Sequence, residues 1–165
     1  MIRCTNKFAL FYKEWPSNFC KTKFIWEAFS EKPEFFCTEQ AFMWTKAKLF
    51  GDEEMATNIL KSDSPMECKK FGRAVIGYDD KKWSEVRYDY MLQVNRARFE
   101  QDKGLQAKLL DKKFDGLVFV EASPYDRVWG VGLEQDDPRI DDEKNWLGTN
   151  LLGQAITQVR EELLK

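Results

Sequence analysis

A chain of 165 residues with 43% hydrophobic and 15% aromatic content is enough for one core and short for two, so a single compact domain over residues 1–165 is expected. A formal charge of -2 and a pI of about 5.4 leave no overall field that draws the chain to nucleic acid or an anionic membrane, so any anion site is local. The absence of histidine excludes Ser-His-Asp and Cys-His catalysis, which need a base titrating near neutrality, and leaves acid/base work to carboxylates with Lys, Arg and Tyr in support.

In chain order, the first third predicts short strands at 8–12 (FALFY), 23–29 (KFIWEAF) and 34–37 (EFFC), broken by turn residues at Pro16, Ser17, Asn18 and Pro33. A small antiparallel sheet is the expectation. Thr38 is placed to cap a helix beginning at Glu39, with that acid at the positive end of the helix dipole. Gly51 and Asp52 close this helix and cap a second one carrying Met55, Ile59 and Leu60. Ser64-Pro65-Met66-Glu67 is a capping box that predicts a short helix to Phe71, ended by Gly72.

From Trp83, the residues Val86, Tyr90, Val94 and Ala97 recur at helical spacing, predicting a long helix to about Glu100. A short helix over 105–113 and a strand over 117–122 follow. The stretch 123–150 reads as loop, with six Asp and Glu in its middle portion, and Thr149 or Asn150 then caps a final helix with Leu152, Ile156, Val159 and Leu163 on its apolar side. The expected class is α+β: a mainly helical single domain with a small sheet and a surface active-site cleft.

Cys4, Cys20, Cys37 and Cys68 are widely spread without C-x-x-C spacing, which fits reduced thiols in a cytoplasm and gives no metal site. The N-terminal residues lack a signal-peptide pattern, and no stretch of eighteen apolar residues occurs, so a soluble cytoplasmic protein is expected.

Three places carry chemistry. Glu39 and Lys46, seven residues apart, share one helix face and put an acid and a cation on one wall, or else are an exposed cap acid and a solvated lysine. Gly72-Arg73 with Trp83, among Lys69, Lys70, Lys81 and Lys82, offers a guanidinium fork for phosphate and a ring for stacking; solvated surface and a core tryptophan are the plainer alternatives. The loop SPYDRVWGVG at 123–132 sets Asp126 beside Trp129 and Gly130 at a strand end, as a functional carboxylate or as a type I turn.

The order of short motifs from residue 8 to residue 163 resembles the NADAR family, also called YbiA-like proteins. The matching pieces are Ser17-Asn18-Phe19, Thr38-Glu39-Gln40 with Lys46, SPMECKKFGR (64–73), KKW (81–83), MLQVNRARFEQ (91–101), Leu117 through Asp126 with Trp129-Gly130, and GTNLLG (148–153). The resemblance implies an N-glycosidase that splits a C1'-N ribosyl bond, either of phosphorylated ribosylamino-pyrimidine intermediates of riboflavin synthesis or of ADP-ribosylated guanine in nucleic acid. It implies Glu39, Trp83 and Asp126 as catalytic residues, with Asn18, Lys46, Arg73, Trp129, Gly130 and Asn150 binding substrate, and no cofactor or metal.

Departures fall on the same helix: the family usually carries His where this chain has Gln40, and Gln where it has Met43 and Thr45. The acidic segment around 134–143 is read as a lid, a specificity element or idle surface. Two further readings stand beside the enzyme: a module that binds ADP-ribose or a related nucleotide without turnover, and an accessory protein with an aromatic docking surface.

Overall fold

The computed structural model describes residues 1–165. Its strands are β1 (Arg3–Cys4), β2 (Phe8–Phe11), β3 (Lys21–Ile25), β4 (Glu34–Cys37) and β5 (Val118–Glu121). Its helices are α1 (Thr38–Leu49), α2 (Glu53–Lys61), α3 (Pro65–Arg73), α4 (Asp80–Gln101), α5 (Lys103–Leu109) and α6 (Leu151–Leu163), so the class is α+β with helix predominant. No helix is long and apolar enough to cross a membrane. The chain divides into two compact units, Asn18–Lys103 and Met1–Ser17 with Gly104–Lys165.

In the unit Asn18–Lys103, β3 and β4 form an antiparallel hairpin with Phe24 opposite Phe35. β3 alternates exposed and buried residues, as a strand with one solvated face does. α1 is different: nine of its twelve residues are buried, polar ones included, so it is a central helix surrounded by neighbours rather than a surface helix with one apolar stripe. α2, α3, α4 and β4 pack against it.

Two terminal signals in this unit behave differently from expectation. Cys37, not Thr38, caps α1: its Sγ accepts a hydrogen bond from the Gln40 N–H at 3.4 Å, and Thr38 is the first helical residue with its hydroxyl buried. α3 starts as predicted, with Ser64 Oγ accepting from the Glu67 N–H, but it runs through Gly72 to Arg73. Gly72 is there for contact rather than termination, because a Cβ at that position would lie 1.9 Å from Met43 Sδ on α1.

In the other unit, β2 is the middle strand of a three-stranded sheet ordered β1-β2-β5, antiparallel to β1 and parallel to β5, with Phe8 to Phe11 matched to Val118 to Glu121. The expected antiparallel sheet of the first three segments is therefore corrected. FALF is buried at all four positions and takes a partner on each edge, one of them a strand more than a hundred residues later, while KTKFI and EFFC pair only with each other. A strand buried on both faces reads as a continuous apolar run, which does not name its partners.

α6 lies on β5. The core on one side of the sheet gathers Phe8, Leu10, Val120, Val131, Leu133 and Ile140. The acidic segment is pinned to this unit: Arg3 Nη2 donates to Gln135 O at 2.7 Å and to Asp141 at 2.9 Å, Gln135 Nε2 donates to Leu10 O at 2.7 Å, and the Trp146 indole donates to Ile140 O.

Candidate functional site

Within Asn18–Lys103, the Glu39 carboxylate and the Arg73 guanidinium both bear on the Lys46 ammonium, and Asn18 meets Glu39 through the backbone. The first turn of α1 sets Glu39, whose N–H donates to the Asn18 carbonyl at 3.0 Å. Glu39 is only 8% exposed, so the exposed cap acid is excluded. Asn18 is equally buried, and its Oδ1 accepts no hydrogen bond from the protein. A buried acceptor left without a donor is uncommon in a settled core and points to a ligand-facing position.

Two turns further along α1, Lys46 is half-buried with its ammonium 4.5 Å from the centre of the Tyr78 ring. Burial pushes its pKa below the ordinary lysine value; the Glu39 carboxylate acts in the opposite direction, and the Arg73 guanidinium at the end of α3 reinforces the fall. That pair of influences puts Glu39 and Arg73 each within electrostatic reach of Lys46. Arg73 itself is exposed, with its guanidinium open to solvent-borne anions.

Trp83 is 5% exposed, its ring 4.9 Å from Phe42 and stacked against Tyr90 at 6.5 Å. This tryptophan is packed among rings, and Phe42, its nearest ring, lies three residues beyond Glu39 on α1. Two thiols also feel Glu39: burial pushes Cys37 up to about 12 and Cys68 up to about 11, with the carboxylate adding to both shifts, so both are neutral near pH 7.

In the other unit, Asp126 closes a tight turn: its Oδ1 accepts from the Val128 N–H at 2.9 Å and the Trp129 N–H at 2.8 Å. This is the turn alternative, and it leaves Oδ2 outside that pair of bonds. Trp129 is half-buried. Gly130 is a close-approach residue, because a Cβ there would sit 3.0 Å from the carbonyl oxygens of Asp126 and Glu121, and its own carbonyl accepts the Asn150 N–H.

Asn150 begins α6 at a φ of 53° without a side-chain cap. It is 1% exposed, and its amide is committed to β5, accepting from the Glu121 N–H and donating to the Phe119 carbonyl, each at 3.0 Å. Asn150 thus ties α6 to the strand that leads into the Asp126 loop.

Sequence reasoning passed over Gln40 as a working residue, although an amide set between Glu39 and Ala41 in a buried helix is itself a signal that the amide has partners. It also passed over Arg98, a wholly buried guanidinium whose Nη2 donates to Asn95 Oδ1 and whose pKa burial lowers to about 10. No group of three His, Cys, Asp or Glu side chains is arranged to hold a metal ion. Taken together, the first unit offers a buried carboxylate within electrostatic reach of Lys46, which Arg73 also reaches, and such a set can stabilise a developing positive charge and attract an anionic group.

Comparison with known proteins agrees in kind. The NADAR domain family model matches residues 6–164, across both units. Protein irg-1 of Caenorhabditis elegans is 39% identical, covering 96% of this chain and 81% of that protein. The N-glycosidase R617 of Acanthamoeba polyphaga mimivirus is 34% identical over 80% of this chain and 76% of its own length. Among solved structures, that of the Escherichia coli protein YbiA superposes with a TM-score of 0.73 at 26% identity, covering 99% of this chain and 88% of that one.

Proposed function

This chain belongs to the NADAR family and is a hydrolase of N-glycosyl bonds, and from that premise we propose that it cleaves the C1'-N bond of a phosphorylated ribosyl or ADP-ribosyl amine. Water adds to C1', the C1'-N pair of electrons leaves with nitrogen, and the proton released by water ends on the departing amine. The products are a free ribose hydroxyl and a free base. The substrates in view are a phosphoribosylamino-pyrimidine or an ADP-ribosylated guanine, free or in nucleic acid.

The observation that carries this reading is the burial of Glu39 within electrostatic reach of Lys46, on which Arg73 also bears. As the glycosidic bond stretches, positive charge grows on C1' and the ring oxygen, and a desolvated carboxylate stabilises that state more than the neutral ground state. Histidine has no necessary part in such chemistry. We assign Glu39 to the oxocarbenium-like centre, Asp126 to the ribose or the departing group, and Lys46 and Arg73 to phosphate. Asn18 offers an acceptor to a ribose hydroxyl, Trp83 and Trp129 supply ring walls, and Gly130 and Asn150 shape the loop that carries Asp126. A reducing cytoplasm suits the four free thiols.

Incubating the protein with ADP-ribosylated guanine DNA, with a phosphoribosylamino-pyrimidine and with NAD, and following the freed base, tests the reading. Release from at least one is expected; tight binding of ADP-ribose with no release from any would make the protein a binding module instead. Phosphate affinity should also carry Lys46's signature. Only the ammonium form attracts phosphate, and its pKa lies below the ordinary 10.5, so affinity falls as pH rises through a window under that value. In Lys46→Arg the fall should vanish. Calorimetric titration with ADP-ribose across that window reads both, and a flat wild-type profile would remove Lys46 from the phosphate site.

A further inference from the structure

Gln40 follows Glu39 and is 2% exposed, a primary amide in the first turn of a buried helix. Its Oε1 accepts from the Phe36 N–H of β4 at 2.9 Å. Its Nε2 faces three carbonyls at the end of α2, those of Ile59 at 3.1 Å, Leu60 at 3.4 Å and the C-cap Ser62 at 3.3 Å. The last carbonyls of a helix lack the usual partner four residues further along it; the Ile59 carbonyl accepts the Ser62 N–H, and the Gln40 amide adds a donor to this end of α2. Cys68 Sγ on α3 is directed at the same Ile59 carbonyl.

The first turn of α1 is consequently held by four hydrogen bonds. Gln40 Oε1 holds it to β4, Gln40 Nε2 to α2, the Glu39 N–H to Asn18, and the Gln40 N–H to Cys37 Sγ. A side chain that carries both an acceptor and an N–H donor can serve β4 and the α2 carbonyls at once, and Gln does so with two N–H groups to spread over those carbonyls. Displacing a reacting group by about 1 Å can cost about a hundredfold in rate, so what holds this turn also governs what Glu39 can do.

We propose that Gln40 is a positioning residue for Glu39, clamping the first turn of α1 between β4 and the carbonyl end of α2 so that the carboxylate is presented in one place. This rests on the reading of Glu39 as the catalytic carboxylate. Gln40 touches no substrate in this account. It is neutral, so it holds the turn without adding charge beside the acid. The groups facing it are Glu39 on its own helix, the neutral thiols Cys37 on β4 and Cys68 on α3, and backbone carbonyls from α2.

The test uses Gln40→Met and Gln40→His in the full chain. Met keeps length and removes every side-chain hydrogen bond at position 40: kcat should fall about 10- to 100-fold with KM within about twofold of wild type, and hydrogen exchange at the Phe36 amide should quicken. Neutral His restores one acceptor and one donor, so at about pH 8 Gln40→His should recover most of the lost rate.

Protonated imidazole has no acceptor for the Phe36 N–H, so this variant should gain an acid-side loss, at about pH 6.5 or lower given burial, in addition to the loss that protonation of Glu39 causes in wild type and variant alike. A folded Gln40→Met with wild-type kcat, or a loss confined to KM, overturns the proposal. Should Gln40→Met fail to fold, Gln40→His decides: a pH profile identical to wild type, or inactivity at every pH while folded, overturns it. Phe36 exchange reads the clamp without turnover, so an active Glu39→Gln enzyme would strike the catalytic reading while leaving the clamp standing.

Discussion

Glu39→Gln is expected to slow bond cleavage by about 100- to 1,000-fold, the usual consequence of removing one preorganised electrostatic contact to a transition state. Gln is the same size and the bond from residue 39 to Asn18 is made by the backbone N–H, so the local fold has little reason to change. What goes is the negative charge. Lys46 would lose the attraction of that carboxylate and keep the Arg73 repulsion, so its pKa should fall further. Single-turnover rates and thermal melts on the same preparation separate the two consequences: a large rate loss with an unchanged melt is the expected pair, and a wild-type rate would end the assignment.

Gly153→Ala should be among the most damaging single methyl additions in the chain. A Cβ there would lie 2.0 Å from the Phe119 carbonyl oxygen and about as near the Asn150 amide, with Oδ1 at 2.4 Å and Nδ2 at 2.6 Å. The Phe119 oxygen is sheet backbone and cannot swing aside. α6 must lift from β5, and lifting it breaks the two hydrogen bonds by which Asn150 holds that strand. A loss of about 3 kcal/mol is expected, the upper end for overpacking a tight contact, or a fall of about 10 °C in Tm. A melt within about 2 °C of wild type would show that α6 and β5 do not meet as closely as described.

How much of this was legible in the sequence varied with how local the determinant was. Ser64 and Asp52 announce their helices because a cap and its N–H partners lie within three residues. The long α4 and the terminal α6 are readable for the same reason, through spacing. β2 is not: FALF announces a strand but says nothing about a parallel partner at Val118, since that choice is made by burial on both faces. Glycines were uneven guides: Gly51 follows the end of α1 at a φ of 75°, as expected. Gly72 reads as a helix stop and is instead the point where α3 touches Met43.

The residues singled out for chemistry show the same division. Glu39 is recognisable from its motif, but its burial is not, because the helix it starts lacks the one-sided pattern that separates inside from outside. Asn150 and Gly130 look like binding residues from their place in short motifs, while the structure occupies the Asn150 amide with β5 and presses Gly130 against the Asp126 and Glu121 carbonyls. Gln40 was invisible as a clamp because its partners Phe36, Ile59 and Ser62 are spread over three elements.

The carboxylate at position 39 matters in this account only if the ribose becomes a cation as its nitrogen departs. The most direct measurement is the isotope effect on bond cleavage in single turnover, using substrate with deuterium at C1'. A normal effect, with the deuterated sugar reacting more slowly as C1' flattens, is the predicted result. An effect of unity or an inverse one, under conditions where cleavage limits the rate, would contradict a ribosyl cation and with it the role given to Glu39.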